Sequence, residues 1–383
     1  MAHFFRTPRR NRLAAGATAV AAVAGLIAGV PGSASGQQAS ASPALQASLD
    51  KLVRDNGFPG ALATVSRGGV PVAFATAGTG DTRTGTPVPP DGQVRIASAS
   101  KMFTATVVLQ LAGEGKVKLD EPVETYLPGL VRGKDFDGNG ITVHQLLQHT
   151  SGLPNYTEFT QDFLNIQHRY YEPRQLLDMA FAKPASFKPG AKWEYSNTNY
   201  ILAGLLVQAV TGRPISEEVT NRIIRPAGLG HTYWPGVGDQ TIREDHPHGY
   251  YTTADGKKAD VTEMDPSWGW AAGQLIARPS DLNKFLTALL GGKLLKPEQL
   301  QQMKSTVDSA DLPPTWHYGL GLIRIQLSCG DAWGHGGDID GYETRDAVMS
   351  DGRSATVAVT ALPGDLAAVD AVNAALDTAL CAK

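Results

Sequence analysis

The sequence predicts an α+β fold: an antiparallel sheet built from N- and C-terminal segments, flanked by helices, with a mainly helical insertion between them. Strand-like runs gather near both ends of the chain, at 60–65, 70–76, 319–325, 342–349 and 354–360, while helix punctuation dominates the middle. Gly68-Gly69 turns the first pair of strands and Asp351-Gly352 joins the last pair as a hairpin. Helices are expected over 102–111, 175–182, 198–211 (stopped by Gly212) and 279–290, the last with Ser280 as N-cap and Gly291-Gly292 as its stop. A final helix over 365–380 would pack on the sheet. One domain, 42–383, therefore divides into a sheet part (about 42–100 and 270–383) and a helical part (about 101–269).

Residues 1–41 read as an address. Arg6, Arg9, Arg10 and Arg12 precede an apolar run over 13–30 and then small residues, the order of a cleaved secretory signal. Arg9-Arg10 raises the twin-arginine route. An uncleaved anchor is the alternative, but eighteen residues rich in Ala and Gly make a poor span. The expected location is secreted, with no stable membrane contact. Removing the segment takes four arginines and no acid, so the formal charge of −3 becomes −7 (−3 − 4). No basic stripe is present, which argues against a nucleic-acid partner. Cys329 and Cys381 are the only cysteines. In an exported chain they are most simply one disulfide clasping the terminal helix to a strand end, two free thiols being the alternative.

Three motifs carry chemistry. In Ser98-Ala99-Ser100-Lys101 the serine and lysine lie one helical turn apart, so the hydroxyl and the amine can meet. A serine hydroxyl needs its proton removed to become a nucleophile, and a neutral lysine can remove it. Burial and the positive helix N-terminus both lower a lysine's pKa. Tyr195-Ser196-Asn197 offers a phenol that can shuttle protons and a carboxamide that can bond an ammonium and a substrate carbonyl; a capping loop is the alternative. Gly334-His335-Gly336-Gly337-Asp338, just before the strand opening at Gly341-Tyr342, reads as a Gly-rich stretch where a substrate backbone can lie close. His335 is expected to place a donor or positive charge beside Tyr195, favouring its phenolate; a turn with a satisfied histidine is the alternative.

The order S-x-x-K, Y-x-N, H-x-G resembles the serine penicillin-recognising family, in its class C β-lactamase and secreted DD-carboxypeptidase branch. The likeness covers nearly all of 42–383, including Thr150-Ser151-Gly152-Leu153, Ser267-Trp268 and Leu327-Ser328-Cys329-Gly330. It implies the β-lactamase/DD-peptidase-like fold, a disulfide between the two cysteines, and no cofactor and no metal. Ser98 would be the acylated nucleophile and Lys101 its base or the orienter of the base. Tyr195 would pass the proton to the leaving group, and Asn197 would bind Lys101 and the substrate amide. His335 stands where the family has His or Lys. The backbone N–H groups of Ser98 and Asp338 would form the oxyanion hole, and Trp268 would wall the cleft.

The sequence departs from the carboxypeptidases where they grip a terminal carboxylate. Their two hydroxyl positions are Gly336 and Asp338 here, and their strand arginine is Ile323. Arg324 is adjacent, but one step along a strand turns a side chain to the opposite face. A free Asp338 carboxylate about 5 Å from a substrate carboxylate would cost roughly 3 kcal/mol at an effective dielectric near 20. Asp338, with Asp340 or Glu343, could instead accept an ammonium. The expected activity is therefore D-stereospecific hydrolysis of D-aminoacyl amides, esters or peptides by a monomer acting on a small substrate, with β-lactams as possible ligands. The alternatives are a DD-carboxypeptidase, with Asp338 pointing to solvent, a β-lactamase, an esterase, and a silent penicillin-binding sensor. Asp135-x-Asp137-x-Asn139-Gly140 imitates half a calcium loop, but Leu146 stands where the bidentate glutamate is needed. His246-Pro247-His248 reads as a loop, and His149 as part of a turn whose hydroxyls bond backbone.

Overall fold

The computed structural model describes residues 39–159, 162–309 and 312–382. The expected signal segment lies outside these, apart from its last residues, of which Ala39–Ser40 pair in parallel with the Val70–Asp81 strand.

The described residues build a ten-stranded sheet that is otherwise antiparallel. Its centre is formed by β1 (Gly60–Arg67), β2 (Val70–Asp81), β3 (Trp316–Tyr318), β4 (Ile323–Leu327), β5 (Gly330–Ile339), β6 (Tyr342–Met349) and β7 (Arg353–Val359). Their spatial order is β2-β1-β7-β6-β5-β4-β3, so the N-terminal hairpin docks on the last strand of the chain. This is the predicted assembly of N- and C-terminal segments into one sheet.

Alternation sends the two faces to two cores. On one face Ala61, Ala355, Val357 and Ala347 pack against α1 (Pro43–Arg54), through Leu45, Leu49 and Leu52, and against the terminal helix, through Val372, Leu376 and Leu380. On the other, Leu62, Val348 and Ala358 join the larger core around α2 (Ser100–Gly113). That helix is buried on every side, from Met102 to Leu111, as its apolar circumference dictates. Phe103 stacks on Phe285 of the Pro279–Leu290 helix with ring centroids 3.8 Å apart, which fixes α2 against the sheet. The helices Pro173–Phe181 and Thr198–Thr211 complete the helical layer, the second ending at Gly212 with φ +68° as expected. The terminal helix runs Leu366–Cys381, capped by Asp365, whose side chain accepts from the Ala368 N–H. Cys329 and Cys381 form the disulfide, tying this helix to the β4–β5 turn.

Three local expectations need correction. The Gly-rich motif 334–338 does precede the expected strand, β6, but is itself strand, within β5, rather than a turn. Glycine stands there because neighbours leave no room: a Cβ on Gly337 would sit 2.0 Å from the Ile96 carbonyl oxygen. The run 319–325 is strand only from Ile323; Gly321, at φ +72°, turns the chain before it. Ser280 is not the cap of its helix. Arg278 occupies that position, Pro279 opens the helix, and the Ser280 hydroxyl donates to Asp91.

Candidate active site

Ser98 lies in a single 3-10 turn, Ala97–Ala99, that feeds directly into α2. Ala97 holds a positive φ of +43°, a costly conformation for a residue with a Cβ. The turn is pinned between β5, through the Gly337 contact, and the one-turn helix Trp270–Gly273. Lys101 is fully buried, and its Nζ reaches Ser98 Oγ at 2.9 Å, Asn197 Oδ1 at 2.7 Å and the Ala272 carbonyl at 2.9 Å. Asn197 is held in turn by Asn155 Oδ1, which accepts from its backbone N–H at 3.0 Å. Burial pushes the Lys101 amine well below its ordinary range, and the Asp338 charge pulls it partly back. With two of its acceptors fixed, a neutral Lys101 can donate to Asn197 and Ala272 and turn its lone pair to the Ser98 hydroxyl.

Tyr195 completes the centre. It lines the same hollow as Ser98, and its ring centroid lies 4.9 Å from Lys101 Nζ. Burial raises the phenol pKa above its ordinary value, and the neighbouring Ser98 hydroxyl offsets this only in part. The phenol therefore stays protonated, a form that can relay a proton, rather than standing as the phenolate expected from sequence.

His335 also departs from expectation. It is buried, 6.4 Å from Tyr195 between ring centroids, and its Nε2 faces the Tyr318 hydroxyl at 3.0 Å. Burial, reinforced by the Lys101 charge, lowers its pKa to about 3. It brings no positive charge to Tyr195. Asp346, which the sequence reading passed over, accepts from the His335 N–H at 3.1 Å.

Asp338 is not a lone carboxylate. Arg345, opposite Gly336 on β6, donates from Nη1 to Asp338 Oδ1 at 2.6 Å and places Nη2 2.7 Å from Glu343 Oε1. Its Nε donates to Asn373 Oδ1 at 3.1 Å. Burial pushes the Glu343 carboxyl up to about 7. The sequence did contain a signal: Arg345, two residues along the strand from Glu343, shares its face. The pairing with Asp338 required the β5–β6 register.

Ser98 sits where two hollows meet. A small one of about 140 Å³ is walled by Trp268, Tyr156 and Ile339, with Asp338 at its edge. Trp268 is held by its carbonyl, which accepts from the Tyr156 hydroxyl. The larger, about 820 Å³, runs past Tyr195, His335, Gly336 and Ile323 to Leu366 and Asp370 on the terminal helix. Thus Ser98, Lys101, Tyr195 and Asn197 converge, and Trp268, Ile323, Gly336 and Asp338 line the adjoining space. Gly337 turns instead toward Ile96, so its part is to bring β5 against the Ser98 turn. Elsewhere, Asp137 Oδ1 accepts from the Asn139 N–H in a turn, His246 bonds the Glu244 carbonyl, and His248 bonds Asp260. No group of His, Cys, Asp or Glu that could hold a metal occurs among the described residues.

A serine hydroxyl beside a buried amine and a phenol, on a sheet made from both chain ends and a helical layer, defines a serine hydrolase of the penicillin-recognising type. The beta-lactamase family model matches residues 45–379, and the chain belongs to that family. A D-stereospecific amidohydrolase from Streptomyces sp. superposes with a TM-score of 0.80 at 39% identity, covering 89% of this chain and 98% of that one. The D-amino acid amidase of Ochrobactrum anthropi, complexed with L-phenylalanine amide, superposes with a TM-score of 0.78 at 28% identity, covering 88% and 96%. Among curated proteins, esterase EstB of Burkholderia gladioli is 33% identical over 201 residues, 50% of this chain and 51% of the esterase. The putative penicillin-binding protein PbpX of Bacillus subtilis is 28% identical over 227 residues, 59% of this chain and 52% of that protein. The chain thus spans about half the length of the curated relatives it matches.

Proposed function

We propose that this chain is an exported, D-stereospecific amidohydrolase that forms an acyl-enzyme at Ser98 on D-aminoacyl amides, esters or peptides. The observation that carries the reading is the Asp338–Arg345–Glu343 cluster, which occupies the wall where a terminal carboxylate would have to be gripped. Ile323, Gly336 and Asp338 all line the larger hollow, so the leaving group lies there and the acyl part lies toward Trp268. One guanidinium shared by Asp338 and Glu343 leaves no free cation for a substrate carboxylate among the described residues that line this hollow. Arg345 also offsets much of the Asp338 repulsion, so the discrimination comes from the missing clamp more than from the roughly 3 kcal/mol of a lone charge pair at 5 Å. A neutral or cationic leaving group suits this wall. The Streptomyces amidohydrolase supports the D-preference; the apolar N-terminal run and the disulfide support export.

In the reaction, the Ser98 proton passes to neutral Lys101 as Oγ bonds the substrate carbonyl carbon. The oxygen of the tetrahedral intermediate takes the charge and is met by the backbone N–H groups of Ser98 and Asp338. Collapse breaks the bond to the leaving group, which receives a proton through Tyr195. Water then attacks the ester and returns the proton, freeing the acid and Ser98. The test is a panel of D- and L-aminoacyl p-nitroanilides beside a D-Ala-D-Ala peptide, on wild type and Ser98→Ala. Faster turnover of the D-aminoacyl anilides, lost in Ser98→Ala, is expected. Preferential cleavage of the D-Ala-D-Ala peptide would transfer the assignment to a carboxypeptidase.

A further inference from the structure

We infer that His149 is a positioning residue for acyl transfer: it seats the ring of Tyr195 and, through Tyr318, keeps a second proton off His335 Nε2. The inference rests on the proposed roles of Ser98, Lys101 and Tyr195 and is independent of the D-preference. His149 is fully buried and ends the Val143–Gln148 helix at φ +62°, a conformation costly for any residue with a Cβ. Its ring lies 4.3 Å from that of Tyr195, tilted by 34°, on the face toward the protein interior formed with Trp193 and Tyr200.

Fixed groups at both ends give the hydrogen bonds one direction. The Ser196 backbone N–H and the Asn199 amide both point at His149 Nδ1, at 3.2 and 3.1 Å, and the Asn199 oxygen is already taken by Ser151. Nδ1 is therefore the lone-pair nitrogen and Nε2 carries the proton. That proton goes to the Tyr318 oxygen, 3.1 Å away. The Tyr318 proton is then left for His335 Nε2 at 3.0 Å, and His335 gives its own Nδ1 proton to the Gly336 carbonyl at 2.5 Å. The last acceptor belongs to the strand that lines the leaving-group hollow.

A second proton on His335 Nε2 would have to point at a Tyr318 oxygen that already accepts from His149. Around His335 stand Lys101 from α2, Tyr195 from the loop, Tyr318 from β3, and Arg345 and Asp346 from β6. Arg345, and Lys101 whenever it holds a proton, oppose protonation, and Asp346 meets the backbone N–H rather than the ring. His149 adds the directional constraint that keeps the imidazole neutral and its orientation single.

The test uses His149→Asn, which tolerates left-handed backbone, and Tyr318→Phe, which removes only the hydroxyl. Nitrogen-15 NMR of the histidine rings reports the tautomer directly. Wild type should hold His335 as the neutral Nδ1–H form; in both variants Nε2 should acquire a proton at higher pH than in wild type, and the acid limb of kcat/KM should move up with it. Turnover should fall roughly tenfold to hundredfold with KM within about twofold, because a misplaced proton relay costs rate rather than binding. Labelling of Ser98 by a fluorophosphonate repeats the rate comparison without reference to substrate chirality, so failure of the D-assignment leaves the result readable. An unmoved protonation of His335 Nε2 and an unmoved pH profile in both variants would overturn the inference, even if turnover or thermal stability dropped.

Discussion

Lys101 concentrates the chemistry of this site because its charge has nowhere to go. The amine is sealed from solvent, and Asp338 is the charge that most supports its protonated form. Activity should rise as pH climbs through the pKa of the free-enzyme base. Replacing Asp338 by Asn removes the supporting charge, lowers that pKa further, and should move the ascending limb of kcat/KM to lower pH. The same change releases Arg345 toward the leaving-group hollow, so hydrolysis of an acyl-D-Ala-D-Ala peptide should gain roughly tenfold, the equivalent of about 1.4 kcal/mol. A pH series on wild type and Asp338→Asn with both substrates reads the two effects; a limb that moves to higher pH would contradict the charge assignment. Tyr195→Phe should lower kcat by roughly 10²–10⁴-fold, the range of a lost proton relay, in a steady-state assay.

Strand β5 is the element that turns sequence into site, and it is also what the sequence hid. Four glycines between Gly330 and Gly337 erase the alternation by which a strand is read, so the segment looks like a turn. The S-x-x-K and Y-x-N motifs were legible because each needs only local spacing. The Asp338–Arg345 pair and the His149–Tyr318–His335 chain were not, since strand register or contacts spanning up to 169 residues create them. Gly337→Ala should force β5 and the Ser98 turn apart, its Cβ meeting the Ile96 oxygen at 2.0 Å. Fluorophosphonate acylation should slow by roughly a hundredfold, the cost of about 1 Å of misplacement. Behind β5, burial pushes the Asp346 carboxyl from 3.8 up to about 8, and its Oδ2 has no hydrogen-bond partner. A raised folded-state pKa gives stability that is complete below about pH 4 and drains away as pH climbs toward 8. Asp346→Asn should match wild type in thermal midpoint at pH 4 and exceed it at pH 8. A lower midpoint at pH 8 would show that the carboxylate is stabilising.

On the scale of the whole molecule, the first and last described strands share one sheet, and the larger hollow beside Ser98 lies between that sheet, the helical layer and the terminal helix. The disulfide holds that helix at the end of β4, closing a 52-residue separation. A loop of that length is worth about 4 kcal/mol in the chain-entropy account. Cys329→Ala with Cys381→Ala should lower unfolding stability by several kcal/mol in denaturant while leaving the Ser98 acylation rate near wild type, since neither cysteine lines the site. The sheet from both ends and the paired cysteines were readable from strand runs and cysteine count. The two hollows that meet at Ser98 became visible only in three dimensions. The measurement closest to the central claim is intact-mass and peptide mapping after brief exposure to a D-aminoacyl ester and, separately, to a fluorophosphonate. The expected result is one covalent increment on the peptide bearing Ser98, absent in Ser98→Ala. Turnover that persists in Ser98→Ala, or an adduct on another residue, would contradict it.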